Sequence, residues 1–155
     1  MPQPAVKTCP TKWKAMTNAR GLDRFVRAQA GIYATALLEL KSGKKRTHWM
    51  WFIFPQMLGL GNSANARAYA MHSDAEARAF LDHGLLGPRL LECTQAMLSH
   101  VGKLKPVEIL GPIDTLKFNS SMTLFEAVAD VPSHFSRALD EMCGGVRDTA
   151  TLQLI

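Results

Sequence analysis

The amino-acid sequence predicts an all-α protein, an irregular single-domain helical bundle of about six to eight helices, some of them short. Three observations carry this expectation. Apolar residues recur at three- and four-residue steps over several long stretches. No segment alternates apolar and polar residues as a half-buried strand would. Glycines, prolines and Ser–x–x–Glu patterns divide the chain at helical lengths. No internal repeat is present.

The elements follow in order. Residues 1–20 hold Pro2, Pro4, Pro10 and four basic residues with little periodicity, which predicts a flexible basic arm ahead of a single helical domain over 21–155. From Leu22 through Phe25, Val26, Gln29, Ile32, Tyr33, Ala36, Leu37 and Leu40, one stripe predicts one helix, closed by Gly43. The run Trp49–Pro55 is uncharged and bulky, so it is expected to be buried on every side, as a short helix ended by Pro55. A second helical region runs from about Ser63 to His83 and restarts at the Ser73/Glu76 capping box. Pro88 suits a first helical turn, and Leu90, Leu91, Thr94, Met97, Leu98 and Val101 continue an amphipathic helix to Gly102. Pro106 to Leu110 makes a turn or two. Asp114 is expected to cap a segment through Lys117. The run Asn119–Thr123 has low helix propensity, which leaves a break or a helix held by tertiary contacts. Leu124 to Ala129 is helical, with Thr123 and Glu126 in the spacing of a cap. Ser133 opens a last clear helix ended by Gly144 and Gly145, and Thr149–Ile155 is an apolar tail expected to pack back.

The chain has 155 residues with a formal charge of +5, 47% hydrophobic and 20% charged residues. These values exclude wholesale disorder, and no run approaches the roughly 20 apolar residues of a membrane helix. The charge is uneven. Residues 1–50 carry ten Lys or Arg against two acids, and residues 51–155 carry eight against eleven. A basic first third can meet phosphates or an acidic partner, and can equally be a solvated arm. Cys9, Cys93 and Cys143 are odd in number and widely spaced, which opposes a disulfide framework or a zinc site. The first 20 residues lack an apolar core for a secretory signal, so the expected location is cytoplasmic, with no cofactor and no bound metal.

Three polar sets are candidates for chemistry. Gln29 stands in an apolar stripe with Tyr33 one turn on. A buried amide without a partner costs roughly 1–3 kcal/mol, so it must meet either a protein group or a ligand. His48, Trp51 and Gln56 surround an aromatic run that can wall a pocket or simply fill the core. Lys117 with Ser120, Ser121 and Thr123 places one ammonium and three hydroxyls where an oxyanion could bind, or where hydroxyls cap an irregular turn. The expected ligand-binding set is Gln29, Tyr33, His48, Trp51, Gln56, Lys117 and Ser121. Glu126 or Asp23 are candidates for an acid if a glycosidic bond is cleaved. No catalytic residue is assigned.

The strings LDRFVRAQAGIYATALLELKSGKKRTHWMWFIFPQMLGLG (22–61), ARAFLDHGLLGPRLLECTQAML (77–98) and LGPIDTLKFNSSMTLF (110–125) resemble the domain of unknown function 1810 family. The resemblance covers nearly everything from Leu22 onward and implies a mainly helical bacterial domain without an established activity. The resemblance implies a basic residue at position 119, where this chain has Asn119, and that departure weakens an anion site around Lys117. Some members carry the label calpastatin. That inhibitor is a disordered chain, and the dense aromatic run and capped helices here oppose the role. A distant likeness to the NADAR family ties the chain, by fold-level analogy, to ADP-ribose chemistry.

Two functions of different class follow as expectations. One is a pocket that binds, or hydrolyses, a nucleotide or ADP-ribose-like ligand. The other is a non-catalytic module that docks on an acidic partner or nucleic acid through its basic first third.

Overall fold

The computed structural model describes residues 21–155, so the expected basic arm and Cys9 lie outside the described residues. The described residues form ten helical segments. They are α1 (residues 21–29), α2 (Tyr33–Ser42), α3 (Met50–Ile53), α4 (Ala64–Ala68), α5 (Asp74–Asp82), α6 (Leu86–Leu98), α7 (Pro106–Leu110), α8 (Pro112–Val128), α9 (Ser133–Met142) and α10 (Thr149–Leu154). Six have seven residues or more and four are short. The architecture is all-α and single-domain. The nearest thing to a strand among the described residues is one parallel bridge, Met57 to Met71. None of the described helices is long and apolar enough to cross a membrane.

The first stripe does not make one helix. The chain turns at Ala30–Ile32, where Ala30 N–H donates to Arg27 O at 3.3 Å and Ile32 N–H to Gln29 O at 3.1 Å. Gly31 lowers the helical propensity there. The period survives the break because both α1 and α2 bury Phe25, Ala36 and Leu40 in the same core. Gly43 ends α2 at φ 80°, and a Cβ there would stand 2.6 Å from Leu104.

The Asn119–Thr123 run resolves as the middle of one continuous helix, α8. Its hydroxyls and amide do the tertiary work that propensity does not. Asn119 Nδ2 donates to Val146 O at 2.8 Å, Ser120 Oγ to Asp148 Oδ2 at 2.8 Å, and Asp148 N–H donates to Thr123 Oγ1 at 3.0 Å. Thr123 also bonds back to Asn119 O at 2.8 Å rather than capping a new helix. Asp114 does not cap either. Its carboxylate pairs with Lys45 at 3.0 Å and Lys117 at 3.7 Å. The expected cap at Ser73 forms, accepting Glu76 N–H at 3.0 Å, while the Glu76 carboxylate takes the His72 N–H at 2.9 Å.

Helix α8 is the central element and packs against α5, α7, α9 and α10. The core is a file of aromatic edges and faces. Phe25 meets Phe80 at 5.2 Å, Phe80 meets Phe125 at 5.5 Å, Phe125 meets Phe135 at 5.9 Å, and Phe54 meets Phe118 at 5.1 Å. Gly87 lets α6 approach α5, since a Cβ there would lie 2.0 Å from Leu81 O. Cys93 is buried, and burial pushes its thiol up to about 12, which fits a small core residue. The tail packs back through buried Thr151, while Leu152, Leu154 and Ile155 stay exposed.

Candidate functional site

The run after Gly43 is organised by a residue that sequence reasoning does not single out. Glu39 is 7% exposed. Its carboxylate accepts Arg46 N–H at 2.8 Å, Thr47 N–H at 3.0 Å, Thr47 Oγ1 at 2.8 Å and Trp49 Nε1 at 2.9 Å. Burial alone would raise its pKa, but these four donors outweigh it and bring the carboxyl from 4.5 to about 2. The clasp directs Trp49 inward to full burial and leaves α3 to present Trp51 on the other side. Pro55 then ends the turn, and Gln56 is fixed by its carbonyl, which accepts Met71 N–H at 2.9 Å.

Three of the seven expected ligand residues converge. Trp51, Gln56 and Lys117 line a narrow crevice of about 10 Å³, with Met50, Phe54, Ala66 and Tyr69 as the rest of its wall. That space suits about one water molecule. Trp51 Nε1 is buried and meets no hydrogen-bond acceptor among the described residues. The Lys117 ammonium lies 5.2 Å from the Trp51 ring centroid, so it covers one face of the indole. Gln56 and Lys117 also form a wall of a wider groove of about 250 Å³. The groove continues over Leu60, Gly61, Ile113, Leu116, Ser120, Asp148 and Ala150. Asp148 uses its Oδ2 for Ser120 Oγ, Thr151 N–H and Thr151 Oγ1 at 2.8, 3.3 and 2.5 Å, which leaves Oδ1 toward other donors.

The other four lie elsewhere. Gln29 is fully buried, donates to Phe52 O at 2.8 Å and accepts from Arg89 Nη1 at 3.3 Å. It is a satisfied interior amide. Tyr33 bonds to the Glu92 carboxylate, and Arg89 stacks on its ring at 4.4 Å. Burial and the Glu92 bond push its phenol upward, away from any role as an acid near neutral pH. His48 is exposed on the loop before α3. Ser121 is fully buried with no partner for its hydroxyl among the described residues, and Ser120 takes its place on the groove.

The candidate acids are also accounted for. Arg147 grips Glu126 at 2.5 and 3.0 Å, Ser136 adds a bond at 2.6 Å, and the Arg147 contact leads in holding this carboxyl below its ordinary range. Asp23 is exposed and paired with Arg27 at 3.4 Å. Neither reaches the groove. Among the described residues no cluster of His, Cys, Asp or Glu could hold a metal ion.

Sequence reasoning does not single out Asp148 as a groove residue. The signal was present, since Asp148 before Thr149-Ala-Thr151 reads as a helix N-cap. Ser120 needed α8 to be continuous, which puts it one turn from Lys117.

These features define a small all-α protein with a polar groove beside a buried indole N–H. The chain belongs to the family described as protein of unknown function (DUF1810), whose model matches residues 19–155. It is similar to the crystal structure of the conserved hypothetical protein Rv1873 from Mycobacterium tuberculosis, at 48% identity and a TM-score of 0.83, over 86% of this chain and 95% of that one. No curated protein matches the chain.

Proposed function

We propose that the groove binds a small anionic, nucleotide-like ligand, with ADP-ribose as the sharpest form of the reading. The observation that carries it is the placement of Gln56 and Lys117 on both the groove and the crevice that holds the unpaired Trp51 N–H. An ammonium and an amide on the groove, with an indole N–H in the crevice behind them, suit phosphate or carbonyl oxygens. Asp148 Oδ1 suits a sugar hydroxyl. The likeness to the NADAR family supplies the ADP-ribose version by analogy.

Size sets the mode. At about 250 Å³ the groove is smaller than the roughly 300–1,000 Å³ of enclosing ligand sites. It would seat one end of a dinucleotide-sized ligand and leave the other in solvent. Lys117 already covers the near face of Trp51, so a base would pack against Leu60, Ile113 and Leu116 rather than on that indole face.

The test is a thermal-shift titration with ADP-ribose, AMP and inorganic phosphate, on the parent chain, Gln56→Ala and Lys117→Ala. A ligand at 100 times its Kd adds about 2.7 kcal/mol, or roughly 5–11 °C for a chain of this size. The shift should disappear in Lys117→Ala. No shift with any of the three ligands, or a shift retained in both variants, overturns the reading.

A further inference from the structure

We propose a second binding surface, a basic face that takes the phosphate backbone of a nucleic acid, built from two segments that are far apart in the sequence. One segment is the end of α2 and the following turn, with Lys41, Lys44 and Arg46. The other is the turn between α6 and α7, with Lys103 and Lys105. All five side chains belong to exposed residues, and none pairs with a carboxylate among the described residues.

The segments are pinned side by side. His100 Nε2 bonds Leu40 O at 2.7 Å, Lys45 N–H donates to Ile109 O at 2.8 Å, and Gly43 packs against Leu104 and His100. The nearby acids are already engaged. Glu39 is buried under four donors, Asp114 is held by Lys45 and Lys117, Glu141 pairs with Arg137 at 2.6 Å, and Glu108 accepts the Lys105 N–H at 2.9 Å. The five cations therefore keep their attraction for an outside anion. Lys103 and Lys105 lie in the two-thirds of the chain whose net charge is negative, so the face exists only in the folded protein.

Charge selects the partner. A hollow of about 360 Å³ along Val101–Pro106 is lined by Glu108 and Glu141 as well as by Lys103 and Lys105, so a phosphate ridge would follow the exposed lysines at its rim and not enter it. A bilayer surface would need a broad apolar face, and the exposed apolar residues on these segments are Leu38 and Val107.

The experiment measures binding of the full chain to a random-sequence DNA duplex by fluorescence anisotropy across a fourfold rise in salt. Each phosphate contact contributes about 0.9 to the salt slope, so five contacts weaken binding about 500-fold over that range. Lys103→Ala with Lys105→Ala should weaken binding at low salt and make the salt-induced loss about twelvefold smaller, whatever residues 1–20 add. Lys41→Ala with Lys44→Ala should do the same from the other segment. Both pairs should melt as the parent does, because exposed unpaired lysines carry little stability. The proposal fails if DNA does not bind at low salt, if both pairs leave affinity and slope unchanged, or if phosphatidylserine vesicles bind and DNA does not.

Discussion

Glu39→Gln tests the clasp that sets up the whole Trp49–Gln56 segment. The carboxylate is 7% exposed and accepts four hydrogen bonds within 3.0 Å. Glutamine keeps the shape but offers one acceptor oxygen and an NH₂ that faces donors. Bringing the carboxyl from 4.5 to about 2 corresponds to about 3 kcal/mol at 1.36 kcal/mol per pKa unit. The folded value lies below the unfolded one, so this stabilisation is present in full above pH 4.5 and is lost as pH falls toward 2. At pH 3 about 1.4 kcal/mol of it remains by the same linkage. Thermal denaturation of parent and variant at pH 7 should differ by about 6–12 °C, given roughly 2–4 °C per kcal/mol. At pH 3 the gap should shrink to less than half. A variant that melts with the parent at pH 7, or a gap that does not narrow in acid, would refute the reasoning. The crevice lined by Trp51 would feel the change too, because the clasp holds Trp49 inward at the start of α3.

Three other outcomes are expected. Gly87→Ala should lose about 2–3 kcal/mol in chemical denaturation, because its Cβ meets Leu81 O at 2.0 Å and α6 must move away from α5. Gln29→Ala should lose about 1–3 kcal/mol by stranding Phe52 O and Arg89, yet leave any ligand-induced thermal shift intact. Trp51→Phe removes a buried donor that has no acceptor, so the free protein should melt at the parent's temperature or above it, while the ligand-induced shift should fall if that N–H meets the ligand.

Much of the fold was legible because helices announce themselves locally. The closing Gly43, the Ser73 cap and the short Pro106 turn all follow from residues within a few positions of one another, whereas the Trp49–Phe54 run is buried at Trp49, Met50, Ile53 and Phe54 but leaves Trp51 and Phe52 half-buried, not enclosed on every side. The failures share a cause. A stripe that continues across Gly31 cannot reveal that the axis bends there, since both halves point at one core. The polar run in α8 reads as a weak helix because its partners, Val146 and Asp148, lie more than twenty residues away.

The candidate site divides in the same manner. Trp51 and Gln56 are neighbours in sequence, and an aromatic run with a loop amide is visible by inspection. That Lys117 joins them while Gln29, Tyr33, His48 and Ser121 do not is a matter of which helix faces pack together. Helical period, caps and breakers are properties of neighbouring residues, and they specify an all-α chain before any packing occurs. Which polar group finds a partner, which is left over and which surface collects charge depends on contacts between distant segments. Those contacts form only when burial of the aromatic core brings α1, α5, α8 and α9 together.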